Sequence, residues 1–261
     1  MSKVLELKIK DKTGEFKNTG KIEIKNQTED KAELYFYGDI VSESWQSYWY
    51  EEDKCPQDVS DFLKQLENSK DIDIYINSGG GSVFAGIAIY SMLRRHKGKK
   101  TVHVDGLAAS IASVIALAGD EVIIPSYANF MIHNPLCFLF DSYNSKKLRE
   151  VADCLDSCKE NILNIYLANA KDGVTKEELS KLMDNETWMT GEDASKYFNI
   201  TVEENIEAVA CTSNLFKKYN NVPKNILNNN KRSTVIDNTK IIKDPEIEAL
   251  IKRINLKFEG E

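Results

Sequence analysis

Ile72-Asp73-Ile74-Tyr75-Ile76-Asn77-Ser78-Gly79-Gly80-Gly81-Ser82-Val83 is the stretch on which the fold turns. Its first six residues place isoleucine at every second position, the period of a strand. The small Ser78 to Gly81 run then stops the strand, and Val83–Arg95 repeats apolar residues at helical spacing, with small side chains on one side. A strand that ends in a glycine turn and opens a helix is half of a βαβ unit.

The same pattern recurs outward in both directions. Upstream, Glu33-Leu34-Tyr35-Phe36-Tyr37-Gly38 reads as a strand and residues 59–66 as a helix. Downstream, residues 101–105 read as a short strand broken at Gly106, and 107–118 as a helix apolar all round, which must be buried. Residues 121–125 and 129–133 give two more strands, and 145–170 a long amphipathic helix. Short helices at 177–183 and 191–198 flank Glu186-Thr187-Trp188-Met189. Alternating strands and helices imply an α/β fold with a parallel sheet.

Three regions follow. Residues 1–30 are polar, with a strand pattern at 21–25 and turn signals at Gly14 and Gly20, and read as an N-terminal extension or hairpin. Residues 31–204 hold the main domain. Residues 205–261 form a C-terminal extension with a solvated linker at 228–232 and one amphipathic helix at 245–258.

Among 261 residues, 34 Lys and Arg are interleaved with 41 Asp and Glu for a net charge of −7, which gives no electrostatic footprint for nucleic acid. The first residues lack the apolar core of a secretory signal, and no stretch approaches a membrane span, so a cytoplasmic protein that meets no membrane is expected. Five cysteines (Cys55, Cys137, Cys154, Cys158 and Cys211) are odd in number and scattered, which argues against a disulfide framework. Cys154 and Cys158 share a helix face, but no second ligand pair lies nearby, so buried thiols are expected rather than a metal site.

Chemistry concentrates in Asn77 to Ser82, Gly106 to Ser113, and Met131-Ile132-His133-Asn134-Pro135, each at a strand end or helix start. In a parallel sheet such ends gather on one edge, where reacting groups sit. Ser110 opens the apolar helix, where unpaired amides favour negative charge; it reads as a nucleophile or as a plain helix cap. Ala108 and Ala109 leave room beside it for a substrate backbone. The glycine run reads as a tight turn or as amides offered to a ligand, and it matches neither phosphate-binding fingerprint. Of three histidines, His96 lies in a basic helix end and His103 within a strand between valines, whereas His133 ends a strand where its ring can enter a cleft.

Taken together, Ile76-Asn77-Ser78-Gly79-Gly80-Gly81-Ser82-Val83, Gly106-Leu107-Ala108-Ala109-Ser110 and Met131-Ile132-His133-Asn134-Pro135 resemble, in order and interval, three linked motifs of the ClpP family of serine peptidases. The resemblance spans about residues 34–204 and implies the spiral of βαβ units shared by ClpP and the crotonases, with a long helix and polar extensions at both ends. It makes Ser110 the nucleophile and His133 the general base, with the amides of Gly80 and Ile111 as the oxyanion hole. The third member falls on Glu186, two positions before Trp188, with glutamate in place of the family's aspartate and Asp184 as the alternative. No metal or organic cofactor is implied. A homo-oligomeric ring acting on protein or peptide chains is. The 145–170 helix is expected to contribute to subunit contacts, because Leu155, Ile162, Ile165 and Tyr166 offer more apolar surface than one stripe needs.

Gly79 stands where the family has proline and Asn134 where it has glutamine. Tyr35 to Ile40, Val104 to Ser110, Glu186 to Thr190 and Tyr219-Asn220-Asn221-Val222-Pro223 are similar to the ClpP-related head maturation proteases of tailed phages. That branch implies capsid or scaffold proteins as substrates, the host cytoplasm as location and no ATPase partner. The alternatives are a cellular ClpP-type degradation subunit, a crotonase-type acyl-CoA enzyme and an inactive ring subunit. The paired Ser110 and His133 argue against the last two.

Overall fold

Ile72, Ile74 and Ile76 are each at most 1% exposed, while Asp73 and Tyr75 between them stay partly open, as a strand with one buried face requires. The computed structural model describes residues 3–10, 16–25, 31–40, 71–139, 141–204, 214–224 and 226. Every element among the described residues lies in the first of two compact units, Met1–Pro223 and Lys224–Glu261. The expected helices at 59–66 and 245–258, the linker at 228–232, Gly14, Cys55 and Cys211 fall outside the described residues.

The strands are β1 (Lys3–Lys10), β2 (Phe16–Lys25), β3 (Lys31–Gly38), β4 (Asp71–Ser78), β5 (Lys100–Ala109), β6 (Glu121–Pro125), β7 (Asn129–Ile132), β8 (Thr187–Thr190) and β9 (Thr201–Glu203). They form one sheet ordered β1-β2-β3-β4-β5-β6-β9, with β7 paired to β5 and β8 paired to β7. From β3 through β9 that path is parallel, and β1 and β2 join it as antiparallel neighbours. Gly20 is no turn: it lies inside β2 opposite Gly38 and Leu7.

The helices are α1 (Val83–Arg95), α2 (Ile111–Ala116), α3 (Ser145–Ala168), α4 (Lys176–Asp184) and the single turn α5 (Gly191–Ala194), and Asn214–Lys218 adds a 3-10 turn. Ser82 caps α1 by accepting from the Ala85 amide, and Ala85, Gly86, Ile89 and Leu93 bury its inner stripe. Gly86 is required by contact, since a Cβ there would lie 2.1 Å from Ile111 Cγ1. On the partly open face, Tyr35, Tyr75 and His103 stack across β3, β4 and β5 with centroids 4.7 and 4.9 Å apart, which gives His103 the structural place expected of it.

Three further expectations need correction. First, Gly106 does not end its strand: β5 runs ten residues and changes partner there, pairing with β6 through Thr101 to His103 and with β7 through Leu107 to Ala109. The ladder to β7 claims the backbone of Leu107 to Ala109, so the expected helix starts only at Ile111. Second, Ile162 and Tyr166 on α3 are buried in the chain's own core and Ile165 packs against it; the exposed leucines of α3 are Leu148 and Leu167. Third, Cys158 is buried but Cys154 is exposed. Among the described residues no helix is long and apolar enough to cross a membrane.

Candidate active site

Strand register assembles the site. Ser78 on β4 lies beside Ala108 on β5, and Ala109 beside Met131 on β7, so the Gly80 segment, Ser110 and His133 leave three adjacent strand ends together. On the other side of β7, Ile132 faces Thr187 of antiparallel β8, which puts Glu186 next to His133. The Ser110 amide donates to the Met131 carbonyl at 2.8 Å and ties the turn to the end of β7.

Ser110 has φ 56° and ψ −129°, a left-handed backbone on a sharp strand-to-helix turn. Such a turn lifts a side chain off the sheet edge and leaves the amides of the following helix beside it. Its side chain makes no capping bond, which removes the plain-cap reading, and it is half-buried. Instead, Ser110 Oγ is 2.7 Å from His133 Nε2. Beneath it, Ser113 Oγ donates to the Ser110 carbonyl at 2.5 Å and lies 2.7 Å from the buried Tyr166 hydroxyl of α3. Sequence reasoning missed this brace, because Ser113 and Tyr166 are 53 residues apart and Tyr166 reads as apolar surface for a subunit contact.

Gly80 has φ +100°, and a Cβ there would come 2.6 Å from Ser110 Cβ and 2.7 Å from the Ala109 carbonyl. Gly81, at φ +146°, would collide with the Ile40 carbonyl at 1.5 Å. Both glycines are demanded by conformation and by contact. The Gly80 amide, an expected oxyanion donor, donates to Ser78 Oγ at 3.2 Å, a weak bond that such a role would require an oxyanion to replace. Ile111, whose amide is the other expected donor, begins α2 directly after Ser110 and is buried.

Burial pushes the His133 imidazole down to about 4, against the charge of Glu186, which pulls it up. The ring is therefore neutral at physiological pH and able to accept a proton. Glu186 is buried and, at φ 47°, is the other non-glycine residue with left-handed backbone among those described. Burial alone would raise its carboxyl, but the amides of Asn220 and Asn221, the Trp188 indole and the His133 ring reverse that and hold it below its ordinary value. Its oxygens accept from the Asn220 and Asn221 amides and the Trp188 indole, whereas its link to His133 is through charge alone. Asp184, the alternative acid, is half-exposed and accepts from Lys159 Nζ at 2.5 Å and from Asn134 Nδ2 at 2.8 Å.

A pH profile follows. If His133 must be neutral to act, the acid limb of kcat/KM falls well below the ordinary histidine value, and cleavage at pH 5.5 stays near its plateau. The sign for stability is the same. Because the folded value is depressed, the unfolded chain binds the extra proton first, and stability falls as pH drops from about 6.5, the unperturbed histidine value. An acid limb centred at or above about 6.5 would contradict the buried, neutral base.

The family model described as Clp protease matches residues 53–200, which include Ser110, His133 and Glu186. The chain belongs to the Clp protease family. It is 32% identical over 139 residues to the ATP-dependent Clp protease proteolytic subunit of Leuconostoc citreum (strain KM20), spanning 52% of this chain and 68% of that one. The same identity and length hold for the subunit of the same name from Streptococcus pyogenes serotype M5 (strain Manfredo), of which 69% is covered. Among solved structures, a mutant ClpP1 from Listeria monocytogenes superposes with a TM-score of 0.53 at 27% identity, over 66% of this chain and 91% of that one. The fold is ClpP-like, and the protein is a serine endopeptidase of this family.

Proposed function

We propose that this Clp-family protein cleaves protein chains by acyl transfer, with Ser110 as nucleophile, His133 as general base and Glu186 as the acid that stabilises the imidazolium. The 2.7 Å contact between Ser110 Oγ and His133 Nε2 carries the reading. Ser110 attacks the peptide carbonyl and passes its proton to His133, which returns it to the leaving amine; water then releases the acyl group by the same route. Gly80 and Ile111 supply the oxyanion amides. The catalytic domain spans 31–204 with accessory extensions on either side, and the active form is a homo-oligomeric ring. Leu148 and Leu167, at 45% and 38% exposure, are large apolar side chains that α3 leaves open to a neighbouring subunit.

Two settings suit that activity. Relatives named as proteolytic subunits of an ATP-dependent protease favour protein degradation together with an ATPase. The segments at Tyr35 to Ile40, Val104 to Ser110, Glu186 to Thr190 and Tyr219 to Pro223 favour maturation of phage capsid or scaffold proteins. Incubating the purified protein with casein, with and without a bacterial Clp ATPase and ATP, and with a capsid precursor separates them. ATP-dependent loss of casein supports degradation, and discrete cleavage of the precursor without ATP supports maturation. No cleavage of either by a monodisperse ring would overturn the endopeptidase reading.

A further inference from the structure

Residues 219–221 lie beyond the 53–200 stretch shared with the Clp protease family, yet they contact Gly79, Ser110, His133 and Glu186. The Asn220 amide donates to Glu186 Oε2 at 2.9 Å and its side-chain Nδ2 to the same oxygen at 3.2 Å. The Asn221 amide donates to Glu186 Oε1 at 2.7 Å, and its Nδ2 to the Asn185 carbonyl at 3.0 Å. Two successive amides thus grip the two oxygens of one carboxylate, an arrangement that favours an anion. Tyr219 lies edge-on to His133, with centroids 5.1 Å apart, and edge-on to Trp188 at 6.0 Å. Its hydroxyl donates to the Gly79 carbonyl at 2.6 Å and also interacts with the Ser110 side chain.

The Gly79 carbonyl is the informative contact. It shares one planar peptide unit with the Gly80 amide, so fixing the oxygen fixes the direction of that N–H. Ser78 Oγ accepts from the amide and Tyr219 donates to the carbonyl, so the unit is held at both ends.

We propose that Tyr219, Asn220 and Asn221 are positioning residues of the peptidase: the two asparagine amides orient the Glu186 carboxylate, and the Tyr219 hydroxyl orients the peptide unit that carries the Gly80 donor. This rests on the assignment of Ser110, His133 and Glu186 made above and adds to it a segment the family stretch does not contain. A buried carboxylate without such donors would favour its neutral form and lose its hold on the imidazolium. A peptide unit free to rotate would lose the orientation from which its N–H, held weakly by Ser78 Oγ, can exchange to an oxyanion. Both are losses of transition-state stabilisation with little change in substrate binding, so kcat carries the effect.

The test uses the full chain and a fluorogenic peptide, with fluorophosphonate labelling of the wild type as reference. Tyr219→Phe removes one oxygen and keeps the ring; it is expected to lower kcat about 10-fold or more, less than the loss of an oxyanion donor itself, with KM within about twofold. Asn221→Pro deletes the amide that Asn221→Ala retains, and the proline variant is expected to turn over at least about 10-fold more slowly than the alanine variant. Should the proline variant fail to fold, Tyr219→Phe decides alone. A labelled, active wild type alongside a Tyr219→Phe variant with unchanged kcat, or one altered only in KM, would overturn the positioning role and leave the triad standing. A wild type that neither cleaves nor labels would overturn the triad, and this inference with it.

Discussion

Ser110→Ala is expected to abolish peptide cleavage, with kcat down by at least about 10⁴-fold, while the protein stays folded. On the proposed mechanism the substitution removes the atom that attacks the carbonyl. What remains is the oxyanion hole and substrate binding, which cannot form the acyl intermediate. The fold has little reason to change. Oγ is half-buried and bonded to His133, and alanine is no more strained than serine at the φ of 56° that the turn imposes. A stability change of about 1 kcal/mol or less is expected. His133→Ala should lose activity to a similar degree, since Ser110 then has no acceptor for its proton. Turnover is measured on a peptide substrate alongside a thermal melt; a folded variant within about tenfold of wild type would remove that residue from the mechanism.

Glu186→Gln is expected to cost about 10² to 10⁴-fold in kcat, and Asp184→Asn less than about threefold. The two acids are two residues apart, but their surroundings set them different tasks. Glu186 is buried beside His133 and carries the charge that opposes the desolvation of the ring. Glutamine keeps its size, loses that charge, and would turn an NH₂ group towards one of the amides of Asn220 and Asn221. Asp184 is half-exposed and paired with Lys159, a contact of the kind worth about 0 to 1 kcal/mol. Steady-state kinetics on both variants decide the matter, and the reverse ordering would transfer the acid's role to Asp184.

The features legible in the sequence are those written in short-range patterns. Isoleucine at every second position gave β4, and the bounds of α1 and β6 were readable from apolar spacing and punctuation alone. Ser110 and His133 were nameable because strand ends gather at one sheet edge and three linked motifs fix their order, and Glu186 only because the family resemblance puts its acid two positions before Trp188. Two kinds of feature were hidden. At Leu107 to Ala109 composition favoured a helix, but pairing with β7 overrode local preference, so the strand ran on to the turn at Ser110. On α3 apolar residues were counted without knowing how much core they faced, and Ile162 and Tyr166 proved to be needed inside. Tyr219 to Asn221 were visible only as a point of likeness. The role proposed for them depends on backbone amides of Asn220 and Asn221 and on a tyrosine hydroxyl reaching a carbonyl 140 residues away, which no short-range sequence pattern marks.

The central claim is that Ser110 and His133 form one reactive pair, and the most direct measurement is covalent labelling with a fluorophosphonate probe followed by peptide mapping by mass spectrometry. Neutral His133, 2.7 Å from Ser110 Oγ, should activate that oxygen alone. The account predicts one adduct per chain, on Ser110, absent in Ser110→Ala and strongly slowed in a folded His133→Ala variant. An adduct on another serine, or labelling of Ser110 that proceeds as fast without His133, would contradict it.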